Sequence, residues 1–311
     1  MRTPLALALI SSVLLAGCTL RPADPAATVD ATAISRTAFA ARISTVTRNA
    51  DVRAAIKTDD GTRRLLRAGV LDQLINAALI TEGAERLGVE VTDPELQSHI
   101  DTLVRTQLGG APEAWHRYLD QHGYPEAEIR TQLQEDLRRE AVEQCLLPNP
   151  VVTQEQVNEV YRKQYAGRPV IRHILLADVP QARRVLQRLA AGERFAALAA
   201  EVSLDTHSAV GGGNLGPHVE DAFVGPFEEA IENARDGQVL GPVQTPFGYH
   251  IIERQPPAAL TEVQEEIRTR LAEQLQDDVF TSWLAQLRER ARVDVAADIG
   301  HWDTTSGTVQ P

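Results

Sequence analysis

The feature that most confines this chain is an apolar stripe with nothing beside it to cover it. Ile267, Leu271, Leu275, Val279, Trp283 and Leu287 recur at helical spacing, after Thr261 and Gln264 spaced as a capping box. A helix of that length has to bury its apolar face. The residues just before it carry their own mixture of strand and helix signals, so the partner has to come from further back. Residues 34–165 supply it. Leu71, Leu74, Ile75, Ala78 and Leu79 mark one buried face, and Leu96, Ile100, Leu103 and Val104 another. Thr92 with Glu95 and Thr153 with Gln156 are capping boxes, while Gly109-Gly110 and Gly123 end helices. The expected architecture is a helical domain, 34–165 completed by 258–298, interrupted by an inserted unit over 166–257.

The inserted unit reads as α+β. "VIRHILLA" is a buried strand, "PQARRVLQRLA" and "RFAALAAEV" are helices, and a loop runs from Ser203 to Pro217. A helix from Pro226 to Ala234 follows. Then come the strands "GPVQT" and "YHIIERQ", joined at Pro246-Phe247-Gly248. "VDV" near the end predicts a short strand, and residues 299–311 read as a loose tail.

The amino terminus carries a different signal. Arg2 precedes the apolar run "PLALALISSVLLAGC", too short to span a bilayer and suited to a signal peptide over 1–17. Leu15-Ala16-Gly17-Cys18 is similar to a bacterial lipobox, which makes Cys18 the expected lipidation site and 18–33 a tether. The expected location is therefore the bacterial cell envelope, outside the cytoplasm and lipid-anchored. Cys145 is then left without a pairing partner. A formal charge of −12 argues against nucleic acid as a partner.

"GGGNLG", residues 211–216, fits the dinucleotide fingerprint literally. That fingerprint works only where a strand leads in and a helix leads out toward the phosphates. Here "SLDTHSAV" precedes the loop and Pro217-His218 follows it, so no nucleotide is expected. His173 and His250 lie in the first and last strands of the unit. A metal would need a third ligand such as His207, His218 or Asp205, at spacings that match no compact ligand motif. Ser203 and Ser208 lie near Asp205 without a nucleophile elbow. Neither cofactor nor metal is expected.

"IRHILL", "FAALAAEVSLD", "GGGNLG", "AFVGPFEEA" and "GPVQTPFGYHII" occur in an order that resembles the parvulin-type peptidyl-prolyl cis-trans isomerases, over Val170 to Arg254. "VLDQLINAALITEGAERLGVEVTDPEL" is similar to the helical chaperone region of foldases of the PrsA and SurA kind. The resemblance implies an FKBP-like α+β isomerase domain inserted in a helical chaperone-like domain. It implies a catalytic set of His173, Asp205, Thr245 and His250. Leu215, Phe223 and Phe227 would grip the proline ring, with Phe247 at the rim. The implied function is prolyl isomerisation combined with holding unfolded or proline-containing polypeptide clients. Two residues depart from the family pattern, His218 where an aromatic is usual and Glu232 where an apolar residue is common. They motivate an alternative, a non-catalytic chaperone or assembly factor that uses the unit only to bind peptides. "ADVP" after the first strand lacks the basic cluster a phosphate would want, so no phosphoserine-proline preference is expected. The sequence leaves the clients, the membrane and the oligomeric state open.

Overall fold

A computed structural model describes residues 24–311. The segment 1–17, Cys18 and the first residues of the 18–33 tether lie outside the described residues. The chain runs β1 (Ala27–Val29), β2 (Thr32–Ile34), α1 (Arg36–Val46), α2 (Ala50–Thr58), α3 (Asp60–Leu87) and α4 (Asp93–Gln107). It continues through α5 (Ala114–His122), α6 (Glu126–Leu146), α7 (Gln154–Gln164), β3 (Pro169–Leu176), α8 (Val179–Ala190) and α9 (Phe195–Val202). Next are α10 (Thr206–Ala209), β4 (Asn214–Pro217), α11 (Gly225–Glu232), β5 (Gln238–Thr245) and β6 (Gly248–Pro257). The chain ends with α12 (Leu260–Arg290), β7 (Val293–Val295), β8 (His301–Asp303) and β9 (Thr308–Gln310).

Two compact units result. The first comprises the described residues up to Pro148 together with Asp277–Pro311, and the second Asn149–Gln276. In the first, α3 presents Leu71, Ile75 and Leu79 to Val29, Phe39, Ile299 and Val309. A smaller core joins Leu96 and Ile100 of α4 to Trp115 and Leu119 of α5. Two of the three predicted capping boxes are present: Thr92 with Glu95 opens α4, and Thr153 with Gln156 opens α7 in the second unit.

Four expectations are corrected here. Residues 26–33 are not tether: β1 lies between β2 and β7 in a three-stranded antiparallel sheet, and Ala26, Ala27 and Val29 are buried. Residues 299–311 are not a loose tail either, because β8 and β9 form a hairpin whose Val309, with Ile299, enters the core of α3. Thr261 and Gln264 do not cap α12. The helix begins at Leu260, and the Ala259 N–H donates to Glu262 Oε2 at 2.7 Å. Along the same helix Val279 is 37 % exposed and Phe280 is buried instead. A strict four-residue repeat drifts by about 40° per step on a helix of 3.6 residues per turn, so by Val279 it has left the buried face.

The division between units also differs from the boundaries at 165/166 and 257/258. Val157 of α7 and Tyr165 just after it pack on Val263 and Ile267 of α12, and the Tyr161 hydroxyl donates to the Ala258 carbonyl at 3.0 Å. These contacts draw α7 and the first half of α12 into the second unit.

Within that unit the sheet order is β4-β3-β6-β5, all antiparallel. Helices cover both faces, which is why β3 reads as a nearly continuous apolar run rather than an alternation. Ile174, Leu176 and Ile251 pack on α8 and α9 through Ala182, Val185, Phe195 and Leu198. Ile171 and Ile252 face the other way, onto Phe227 and Ile231 of α11. Period-two geometry puts His173 and His250 on this second face.

Candidate functional site

In the ladder, His173 stands opposite Ile252 and His250 opposite Leu175, so the imidazoles are diagonal neighbours on one face of the sheet. Both are buried, and their rings are stacked at 5.3 Å. His173 Nδ1 and His250 Nδ1 are 3.0 Å apart, a distance that requires one proton between them. The flanking partners fix whose proton it is. Thr245 Oγ1 accepts the Phe247 N–H at 3.1 Å and lies 2.8 Å from His250 Nε2; a carboxylate at 205 only accepts, so with both rings neutral the hydrogens run toward it and Thr245 gives its own to His250. His250 then carries its proton on Nδ1 and donates it to His173. On the far side, His173 Nε2 donates to Asp205 Oδ2 at 2.7 Å. The result is one unidirectional chain: Phe247 N–H, Thr245, His250, His173, Asp205.

Two of these groups are strongly shifted. Burial above all, then the neighbouring His173, pulls His250 down to about 4. The Ser208 hydroxyl, then His173 and the Ser208 N–H, hold Asp205 at about 2 against the opposing effect of its partial burial. At neutral pH the chain therefore ends in a fixed carboxylate and contains a neutral His250.

The local fold explains why Asp205 points there. It caps α10, and its Oδ1 accepts the N–H groups of His207 and Ser208 at 3.2 and 3.4 Å. Oδ2 takes the Ser208 hydroxyl at 2.6 Å as well as His173. Gly213 brings the loop against the strand: its carbonyl accepts the His173 N–H at 2.8 Å. Gly213 has φ +79°, and a Cβ there would lie 2.2 Å from the His173 carbonyl oxygen. The glycine loop needs its glycines for this approach, not for a phosphate.

Beside the polar chain lies the apolar set. Phe227 is buried, and its ring meets His250 edge-on at 5.0 Å and His173 at 5.9 Å. Phe223 packs on Phe227 at 4.8 Å, and Leu215 belongs to the same cluster. Phe247 is 70 % exposed on the turn between β5 and β6. All eight sequence-predicted residues of this unit thus fall around one locus, while Cys18 lies outside the described residues. Among the described residues no group of three or more His, Cys, Asp and Glu is placed to hold a metal. His218 is engaged elsewhere, with Glu228 at 2.5 Å. Glu232 is exposed on α11, and the neighbouring Ile231 is fully buried, so the helix keeps its apolar anchor.

Two further side chains touch this cluster without a distinctive signal in the sequence. Ser208 bonds Asp205, and Asp-x-x-Ser is the spacing of a helix cap. Glu228 gave no signal at all, since a glutamate on a helix is ordinarily a solvated face.

The helical unit offers a cavity of ≈ 470 Å³ along β2, α3 and α6, with Ile34, Leu74 and Ala78 on its apolar side. Arg42 sits at its base, 7 % exposed, paired with Glu128 at 2.5 Å and Glu135 at 3.0 Å.

Residues 179–255 match the family of the PPIC-type PPIASE domain, and residues 5–143 that of the SurA-like N-terminal domain. The foldase protein PrsA of Caldanaerobacter subterraneus subsp. tengcongensis is 30% identical over 190 residues, 60% of this chain and 56% of that protein. The foldase protein PrsA of a Geobacillus species is 29% identical over 257 residues, 79% of this chain and 89% of its own length. The chaperone SurA of Alkalilimnicola ehrlichii is 35% identical over 121 residues, 38% of this chain and 28% of that protein.

Proposed function

We infer, from the premise that this chain belongs to the parvulin-type foldases of the PrsA and SurA kind, that it isomerises X-Pro bonds in client polypeptides and holds those clients through its helical unit. The observation that carries the catalytic part is the hydrogen-bonded chain from Thr245 to Asp205 running beside Phe227, Phe223 and Leu215.

Isomerisation breaks no covalent bond. It removes amide resonance across a barrier of about 20 kcal/mol. A proline ring seated on Phe227 and Leu215 leaves its amide in apolar surroundings, which disfavour the charge-separated planar form. The carbonyl is then free to rotate over Asp205. Thr245, His250 and His173 hold that carboxylate in register, so the polar environment of the twisted amide is set in advance. Stabilising the twisted state more than either planar state is what accelerates the step.

The catalytic assignment of His173, Asp205, Thr245 and His250, with Leu215, Phe223, Phe227 and Phe247 as the substrate surface, is tested on the full chain. Proline-containing peptides should isomerise faster with the wild type, and Asp205→Ala and His250→Ala should slow the reaction. Equal rates in all three proteins would leave only peptide binding. We place the protein outside the cytoplasm, tethered by a lipid on Cys18, a reading supported by the leader and by the kind of relatives it has. No helix among the described residues is long and apolar enough to cross a membrane. Mass spectrometry of the mature amino terminus, with Cys18→Ala as the control, decides the anchor: an unmodified Cys18 in the wild type removes it.

A further inference from the structure

The segment between β4 and α11, residues 218–224, carries Phe223 into the apolar cluster, yet it contains no regular structure of its own. Its backbone is sparsely tied. The His218 N–H donates to the Pro169 carbonyl at 2.8 Å and the Ala222 N–H to the Val219 carbonyl at 3.1 Å. Asp221 sits at φ +61°, a left-handed turn conformation that aspartate tolerates better than most side chains. The group that ties the segment together is Glu228. Its side chain is 10 % exposed, and its two oxygens reach opposite ends of the segment. One accepts the His218 Nε2–H at 2.5 Å, the other the Phe223 N–H at 3.3 Å. The His218 ring in turn lies parallel to the Phe223 ring, 9° apart in plane and 6.2 Å between centroids.

We propose that Glu228 and His218 are positioning residues that clamp Phe223 against Phe227 and thereby set the shape of the surface that receives the proline ring. The inference rests on reading that apolar cluster as the proline site. Neither residue reaches the hydrogen-bonded chain of the histidines, so their effect is on binding, not on the rotating carbonyl. A plain helix cap does not account for the arrangement. Glu228 lies at the fourth residue of α11, and one of its two oxygens is spent on a side chain across the loop rather than on the helix amides. The histidine is what makes the clamp possible here: an aromatic ring without a donor at 218 would stack on Phe223 and leave the buried carboxylate half-satisfied.

The test uses the full chain and two independent readouts: the dissociation constant of a short proline-containing peptide, and KM and kcat for its isomerisation, each normalised to the folded fraction. Glu228→Ala and His218→Ala should weaken peptide binding and raise KM about tenfold, with kcat within about twofold of the wild type. Glu228→Gln, whose Oε1 still accepts the Phe223 N–H while its amide NH2 donates to His218 Nε2 in the ring's other tautomer, should restore both to within about twofold to threefold. Unchanged binding in folded His218→Ala would overturn the clamp even if Glu228→Ala fails to fold. So would a loss confined to kcat. Because the dissociation constant is read without turnover, a protein that binds peptide but does not isomerise it refutes the catalytic reading and still decides this one.

Discussion

Acid acts on the site through two residues, and in the same direction. His250 is held near 4 by burial, whereas an exposed histidine titrates near 6.5. Between those values the unfolded chain binds a proton that the folded chain refuses, so folding stability declines as pH falls from about 6.5 to about 4. Asp205, held at about 2, behaves as a carboxylate with a depressed value. Its contribution is complete above about 4 and is lost as pH falls through 2. Denaturant unfolding of the second unit, followed from pH 7 to pH 4, should show a decline on the order of 2–3 kcal/mol that His250→Gln largely abolishes; a flat profile in the wild type removes His250 as its source. Catalysis should fail before the fold does at residue 205. Asp205→Ala keeps the rings but removes the ionised end of the chain, so kcat/KM should fall by a factor of about 10 to 100. The residues of this site differ in how legible they were. His173, Thr245, His250 and Asp205 stand in motifs whose residue types are distinctive. Ser208 and Glu228 are ordinary polar residues whose role depends on what faces them across a loop, which linear order does not carry.

At the level of elements, close approach between helices and strands sets the strictest demands. Gly213→Ala would drive a Cβ to 2.2 Å from the His173 carbonyl oxygen at a left-handed position. Since backbone cannot yield as a flexible side chain would, the loop has to leave β3 and take Asp205 with it. The expected readout is a combined loss of stability and isomerisation, whereas Gly192→Ala, where no atom lies within 4 Å, should show only the cost of its own left-handed backbone. In the helical unit the critical element contact is α1 on α6. Arg42 is paired with Glu128 and Glu135, and burial raises Glu135 while Arg42 opposes the rise. Arg42→Ala strands two carboxylates and should destabilise the unit by about 3–5 kcal/mol in chemical denaturation; a loss below about 1 kcal/mol would mean that solvent reaches the pair. The long helices were readable because caps and a 3.6-residue period repeat over many turns. Of the three-residue strands only β7, the "VDV" segment, is readable; β1, β2, β8 and β9 are not, since three residues make no period and their burial is supplied by partners far away in sequence.

For the molecule as a whole, the short terminal strands tie both ends of the described chain into one core. The chain's two described ends are structural parts of the helical unit: β1 pairs with β7 across more than two hundred residues, and Ile299 and Val309 complete the core of α3. Every proposed isomerase residue, by contrast, lies between His173 and His250, in the other unit. Deleting residues 299–311 removes both buried side chains and exposes Leu71, Ile75 and Leu79 on the side they covered. Large-to-small losses of this kind cost about 2–5 kcal/mol per buried aliphatic side chain, enough to unfold a unit of ordinary stability. A chain ending at Asp298 should therefore melt in its helical unit at a much lower temperature and lose its ability to suppress aggregation of an unfolded client. Its kcat/KM on a short proline peptide should stay within about twofold of the full chain, since no site residue is touched. Two other results are decisive against this division of labour. If the truncated chain still protects clients, the helical unit is not the holder; if isomerisation collapses with it, the second unit does not stand on its own core of Ile174, Leu198 and Ile251.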